Sequence, residues 1–299
     1  MTKLLDELAD GHIFVSDGAW GTALQARGIE PGVCPESWNL DHPEVITQIA
    51  QDYLNAGAEL LTTNSFGAGR LKLRMYGLEE KTAEINRAAA ALAREAAGGA
   101  RHVLGSIGPS GQIIMMGDVT EEELTAMFKE QAIALEDGGC DVCLVETMMA
   151  LDEAALAVRA AREHTSMEII CTFTFQAMPD DTYRTMMGVS PAEMANAMLS
   201  AGADIVGANC SVGSRDMVAI VRELRTAAPS APILVSPNAG RPVRNDEGKD
   251  VFPETPADMA AAVPALIGAG ANIIGGCCGT TEAHVAAIAD AVASQRPKA

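Results

Sequence analysis

Three thiols frame the chemistry this sequence could perform. Cys210 follows Asn209, and Cys277 and Cys278 stand side by side within Gly275-Gly276-Cys277-Cys278-Gly279-Thr280. Thiolates are soft ligands, and three of them ending two strands describe a zinc site with one coordination position open. Structural zinc sites close with four protein ligands, often in paired C-x₂₋₄-C knuckles; no such spacing links these three, which points to the open, catalytic kind. Adjacent residues on a regular strand face opposite ways, so Cys277 and Cys278 can share a metal only if the backbone twists sharply, a freedom that Gly275, Gly276 and Gly279 supply. The competing reading is a vicinal disulfide, which needs a strained ring and leaves Cys210 without a role. Three cysteinates would give a Zn²⁺ centre a net charge of about −1, lowering its Lewis acidity and keeping a fourth thiolate electron-rich. That suits alkyl transfer to sulfur better than hydrolysis, because a free thiol of pKa about 8.5 is mostly protonated at neutral pH and only its thiolate is a good nucleophile.

Eight short apolar runs must position these thiols: His12 to Gly18, Leu60 to Phe66, His102 to Gly108, Val142 to Met148, Ile169 to Phe175, Ile205 to Ser211, Ile233 to Ala239 and Ile273 to Gly279. Each is followed by an Ala-rich helical segment, so the alternation predicts βαβ units and an α/β fold, a (β/α)₈ TIM barrel with its site at the C-terminal ends of the strands. The stretches Ala56-Gly57-Ala58-Glu59, Gly138-Gly139-Cys140-Asp141, Ala201-Gly202-Ala203-Asp204 and Ala269-Gly270-Ala271-Asn272 read as helix-to-strand joints on the opposite face. No Pro/Ser-rich linker or low-complexity segment divides the chain, so residues 1–299 are expected to form one domain. The strand ends supply Asp17, Thr62, Thr63, Asn64, Ser106, Glu146, Thr147, Asn209, Cys210, Asn238, Cys277 and Cys278 to one mouth. Two carboxylates, Asp17 and Glu146, converging there repel one another unless a cation or ammonium group lies between them.

Composition excludes several classes. A formal charge of −19 argues against nucleic acid and anionic membrane surfaces as partners. Seven cysteines, no leading signal segment and no apolar run of membrane-spanning length point to a reducing cytoplasm. The five histidines fall at strand starts or helix ends and are not expected to bind metal. Met115-Met116, Met148-Met149 and Met186-Met187 are adjacent pairs; those near the mouth would offer a bulky donor an adaptable surface. Gly105-Ser106-Ile107-Gly108-Pro109-Ser110-Gly111 lacks the lysine of a phosphate loop.

The sequence resembles the homocysteine S-methyltransferase family over nearly its whole length, through Asp17-Gly18-Ala19-Trp20-Gly21-Thr22, Thr63-Asn64-Ser65-Phe66, Gly105 to Gly111, Glu146-Thr147, Gly207-Ala208-Asn209-Cys210, Pro237-Asn238-Ala239-Gly240 and Gly275 to Thr280. Within the family it is most similar to the homocysteine-binding barrel of corrinoid-dependent methionine synthases, through Pro35-Glu36-Ser37-Trp38-Asn39, Arg70-Leu71-Lys72-Leu73 and the loop from Pro237 to Pro253. The resemblance implies that Cys210, Cys277 and Cys278 hold Zn²⁺, with the thiolate of homocysteine in the fourth position. It implies that Asp17 and Glu146 receive the α-ammonium group, that the backbone around Ser106 and Ile107, with Thr63, meets the carboxylate, and that Asn238 is a placeholder ligand. Asn209 counts with these substrate-binding residues.

The expected donor is methylcobalamin carried by a separate corrinoid-binding protein. Betaine and S-methylmethionine are the alternatives within the family, and another small thiol is an alternative acceptor. Two Trp, three Tyr and six Phe leave few residues for the aromatic cage that betaine needs, and Thr147 stands where the betaine enzyme carries an aromatic residue. The long polar segment Arg241 to Pro256, with a turn at Asn245-Asp246-Glu247-Gly248, is a candidate docking rim. Two readings without catalysis remain open: a thiol-capturing zinc protein, and a redox sensor built on Cys277 and Cys278.

Overall fold

The computed structural model describes residues 2–295 apart from 246, 247 and 249. Eight parallel strands follow in chain order: Phe14–Val15 (β1), Leu60–Thr62 (β2), His102–Ile107 (β3), Val142–Met148 (β4), Glu168–Phe173 (β5), Ile205–Asn209 (β6), Ile233–Ser236 (β7) and Ile273–Ile274 (β8). Each pairs with its sequence neighbours, and β8 pairs with β1. A bridge between Ser16 and Leu60, with Glu59 N–H donating to Val15 O at 2.7 Å, joins β1 to β2 and closes the ring. The helices Pro43–Asn55 (α1), Thr82–Ala97 (α2), Glu121–Gly138 (α3), Leu151–His164 (α4), Pro191–Ala201 (α5), Ser214–Ala227 (α6), Pro256–Ala269 (α7) and Glu282–Gln295 (α8) each follow one strand. This is the (β/α)₈ barrel expected from the sequence. Among the described residues no helix is long and apolar enough to cross a membrane.

Alternation along the strands divides the core into two layers. Phe14, Leu60, Leu104, Leu144, Ile170, Ile205, Leu234 and Ile273 fill the lumen, whereas Val15, Leu61, Val103, Cys143, Ile169, Val206 and Val235 face the helices. A short helix, Leu4–Ala9, closes the lumen from below with Leu4 and Leu8, each contributing about 1.5–3 kcal/mol by burial. Glu168 at the start of β5 accepts the free N–H groups of Leu4 (2.9 Å) and Leu5 (3.1 Å), capping that helix.

Three of the four joints share one construction. Gly139, Gly202 and Gly270 take φ near 110° (110°, 110° and 114°) to end α3, α5 and α7, and those helices open on capping boxes at Thr120, Ser190 and Thr255. The acid or amide two residues after each joint glycine accepts an N–H from the preceding odd-numbered strand. These bonds are Glu59 to Val15 (3.1 Å), Asp141 to Val103 (2.9 Å), Asp204 to Ile169 (2.8 Å) and Asn272 to Ile233 (3.0 Å). Arg94, Arg162 and Arg225 reach in from α2, α4 and α6 to bond both the glycine carbonyl and that side chain. The barrel thus repeats a two-strand, two-helix unit four times around its axis, with the polar joints below and the site loops above.

Two features depart from the sequence reading. The paired portions of β1 and β8 are only two residues long, because the rest of each run leaves the sheet to build the mouth. A rim hairpin, Gln176–Ala177 with Tyr183–Arg184, follows β5 and carries no strand signal, since each arm is only two residues long, one exposed and the other half-buried. In the loop after β7, Val243–Arg244 pairs with Asp250–Val251. The turn expected there includes Asp246 and Glu247, which lie outside the described residues.

Candidate functional site

A cavity of about 380 Å³ opens at the C-terminal ends of the strands, floored by Leu144 and Leu234. Of the expected site residues, Asp17, Thr63, Ser106, Glu146, Asn209, Cys210, Cys277 and Cys278 line it. Asn238 is buried beside it, and the Ile107 side chain lies in the outer core.

Three backbone kinks let consecutive residues face the cavity together. At the end of β4 the pairing with β5 shifts register between Val145 and Met148, and Thr147 adopts φ 61°. A β-branched residue in that left-handed region is strained by about 1–3 kcal/mol, and here it allows Glu146 and Thr147 to line the same cavity. Cys210 (φ 63°) does the same for Asn209 and Cys210 at the end of β6. After β8, Gly279 (φ 81°) ends the Cys277-Cys278 turn beneath the Phe252 ring, where an added Cβ would lie 2.2 Å from Phe252 Cγ.

The thiols are assembled by the segment that ends β7. Ser236 O accepts from Cys210 N–H (3.0 Å), Pro237 O accepts from Cys277 N–H (2.8 Å), and Ala239 N–H donates to Cys278 O (3.0 Å). The Cys210 and Cys278 sulfurs lie 3.8 Å apart, and all three sulfurs fall within 4.8 Å of one another. Two thiolates on one tetrahedral zinc at about 2.3 Å are separated by about 3.8 Å, whereas a disulfide needs about 2.05 Å. The donor set and its spacing therefore fit zinc, and all seven cysteines are free. The Asn238 side chain hydrogen-bonds the Cys210 sulfur, and its Oδ1 is buried without a hydrogen-bond partner. Hydrogen bonds from Cys277 and Cys278 hold the Cys210 thiol well below its usual range, and the same bonds raise Cys277 and Cys278, so the three share one negative charge. The remaining cysteines are buried apart. Burial raises Cys140, Cys143 and Cys171, leaving the C-x₂-C pair at Cys140 and Cys143 protonated in the core.

The carboxylates are held as firmly. Asp17 Oδ2 accepts from Thr62 N–H (2.8 Å), Thr62 Oγ1 (2.8 Å) and the Trp20 indole N–H (3.1 Å), while Oδ1 receives only a long bond from Ser16 (3.4 Å). Burial raises its pKa to about 6 against these bonds. Glu146 accepts from Ser106 Oγ and, at 3.3 Å, from Asn209 Nδ2; burial, with the Asp17 charge adding to it, raises its pKa to about 7. Ser106 N–H is engaged by Thr63 Oγ1 at 3.0 Å. Two contributors carried no sequence signal of their own. Trp20 belongs to the stretch from Asp17 to Thr22 and has no chemistry of its own to mark it, and Thr172, which donates to Asn209 Oδ1 at 2.8 Å, is marked only by its lumen-facing register two residues after Ile170.

A sequence pattern described as Homocysteine S-methyltransferase matches residues 14–292. The chain belongs to the homocysteine S-methyltransferase family. It is 34% identical to a methionine synthase of Mycobacterium tuberculosis, covering 99% of this chain and 26% of that protein. It is 33% identical to a methionine synthase of Mycobacterium leprae, covering 98% and 25%. The chain thus spans about a quarter of the length of these relatives. Among solved structures, the metallated homocysteine methyltransferase MmuM of Escherichia coli superposes with a TM-score of 0.77 at 25% identity, covering 96% of this chain and 99% of that one. The carboxyl transferase domain of Rhizobium etli pyruvate carboxylase shares the barrel alone, with a TM-score of 0.55 at 14% identity.

Proposed function

We propose that this barrel, acting as one domain over residues 1–299, is a zinc-dependent homocysteine S-methyltransferase that forms methionine. The observation that carries the reading is the spacing of Cys210, Cys277 and Cys278 beside a cavity that also buries two carboxylates with raised pKa values. Cys210, Cys277 and Cys278 would hold the metal, and Asn238 Oδ1 would lie beside it in the absence of substrate. Bound zinc would supply the means of keeping a fourth sulfur, that of homocysteine, as a thiolate at neutral pH.

The chain's own residues do the rest. The open Asp17 oxygen and Glu146 take the substrate ammonium group, whose positive charge relieves their mutual repulsion. Thr63, Ser106 and the Ile107 backbone form the wall assigned to the carboxylate, with the Ser106 N–H already turned toward Thr63. Leu144 and Leu234 give the methylenes an apolar floor. The attacking sulfur then forms a bond to the methyl carbon as the donor's bond to that carbon breaks, and the neutral thioether leaves.

The proposed donor is a methylated corrinoid on a separate protein. A cavity of about 380 Å³ is far smaller than a corrinoid, so such a donor must meet the sulfur at the mouth. Every large hydrophobic side chain exposed among the described residues lies between a barrel strand and the barrel helix that follows it, including Phe66, Met75, Met116, Met178, Met186 and Met187. Exposed methionines on one face suit an adaptable docking surface. The name methionine synthase borne by the relatives agrees with methionine as the product. The reducing cytoplasm remains the proposed compartment.

The test is methionine formation by purified, zinc-loaded protein from homocysteine and methylcobalamin, with betaine and S-methylmethionine in parallel arms and Cys277→Ser as control. Turnover with methylcobalamin, lost in the variant, is expected. Turnover with another donor instead would remove the corrinoid reading and keep the acceptor. A zinc-loaded protein that shows no response to homocysteine at the metal would remove both.

A further inference from the structure

Asn209 spans the two halves of the site. From the end of β6 its side chain reaches across β5 to the bulge on β4, where Oδ1 accepts from Thr147 N–H (3.0 Å) and from Thr172 Oγ1 (2.8 Å). Its Nδ2 donates to Thr147 Oγ1 (2.7 Å) and Glu146 Oε2 (3.3 Å) and lies 4.0 Å from the Cys277 sulfur. The amide has two acceptor lone pairs and two donor hydrogens, so this network uses its whole capacity and leaves none for a ligand. Both bonds to Thr147 hold a residue whose φ of 61° a β-branched side chain does not adopt unaided.

We propose that Asn209 is a positioning residue that fixes the distance between the thiol cluster and Glu146, and thereby the chain length of the thiol amino acid the site accepts. The proposal rests on the reading above, in which the cysteines hold the metal beside the substrate sulfur and Glu146 receives its ammonium group. Homocysteine and cysteine differ by one methylene between those two groups. A site anchored at both ends distinguishes them only if the anchors are rigidly spaced, and Asn209 is the side chain that touches both. When it is removed, Thr147 relaxes toward negative φ and the bulge loses its register. A one-residue slip turns a strand side chain to the opposite face, so Glu146 leaves the cavity while the cysteines, tied to the end of β7, stay.

The experiment compares zinc-loaded wild type with Asn209→Ala, Thr147→Gly and the double variant. Calorimetric dissociation constants are measured for homocysteine, cysteine and 1-propanethiol, together with zinc content and melting temperature. Asn209→Ala is expected to keep its zinc and its affinity for 1-propanethiol, to bind homocysteine about 10- to 100-fold more weakly, and to lose most of its preference for homocysteine over cysteine. Glycine occupies positive φ without a clamp, so Thr147→Gly in the Asn209→Ala background should restore much of the homocysteine affinity. Should Asn209→Ala not fold, Asn209→Asp keeps the acceptors for Thr147 and Thr172, so its preference for homocysteine over cysteine should persist even where the added charge beside Glu146 alters overall affinity; loss of that preference would place the selectivity in charge and overturn the proposal. Unchanged homocysteine affinity, equal loss for all three thiols, loss of zinc, or no recovery in the double variant overturns the proposal. A wild-type protein that binds homocysteine no better than 1-propanethiol refutes the underlying reading, and with it this one.

Discussion

Replacing Asp17 with asparagine should make the substrate-free protein more stable at neutral pH while weakening its hold on homocysteine. Asp17 is 3% exposed, and burial raises its pKa from 3.8 to about 6. The folded protein therefore keeps a proton that the unfolded chain has already released between about pH 4 and 6, so wild-type stability declines as pH rises through that window. A shift of about two units at about 1.4 kcal/mol each amounts to about 3 kcal/mol, present in full above pH 6. Asparagine carries no such penalty. Its carbonyl can retain the bonds from Thr62 and Trp20, though a neutral acceptor takes them more weakly, a loss of about 1 kcal/mol. The net gain at pH 7.5 should be about 1–2 kcal/mol, or roughly 2–6 °C in melting temperature for a chain of this size. It should shrink toward zero as pH falls below about 4, where aspartate becomes protonated in both states. Urea titrations of metal-free, reduced protein at pH 7.5 and 4.5 provide the measurement. A variant that is less stable than wild type by the same margin at both pH values would refute the idea that this carboxylate is held charged against its environment.

Three further outcomes are expected. The KM for homocysteine should rise as pH falls from 8 to 5.5, because Glu146 and Asp17 with raised pKa values of about 7 and about 6 become protonated and stop attracting ammonium, while kcat changes less; a flat KM would remove the ammonium role. Asn272→Asp should stabilise the protein by about 1 kcal/mol in thermal melts, since Arg225 meets a neutral amide where Arg94 and Arg162 meet carboxylates, and a destabilised variant would show that this joint needs its neutral partner. Gly279→Ala should abolish zinc retention measured by elemental analysis, because it adds strain at φ 81° and drives a Cβ into the Phe252 ring; full zinc content would mean that the loop tolerates a different path.

The barrel was legible because buried parallel strands are continuous apolar runs and each joint carries a glycine at a fixed offset from its strand. Cys210, Cys277 and Cys278 were legible as a cluster because strand ends in this fold converge. What could not be read is how each side chain turns. Thr147, Cys210 and Ser211 hold positive φ without being glycine, and nothing in local propensity announces it. The role of the segment from Ser236 to Ala239 in bracketing all three thiols is carried by backbone groups, which every sequence possesses. Likewise, Asn209 reads as one more polar residue at the mouth until its partners across β5 are known.

The cavity gathers a thiolate and two carboxylates with only apolar floor and hydroxyl groups around them, an arrangement that burial penalises at each site. Among the described residues, no arginine or lysine lines it. Among the described lining residues no cation offsets this charge, and the two kinds that fit are a divalent metal against sulfur and an ammonium group against carboxylate. The rigid brackets, the segment that ends β7 for the thiols and Asn209 for the bulge, keep the anions from relaxing apart when neither cation is present. Instability of the empty site is thus the counterpart of selectivity: a ligand that brings only a thiol, or only an ammonium group, relieves part of the repulsion, whereas a thiol amino acid of the right length engages both ends.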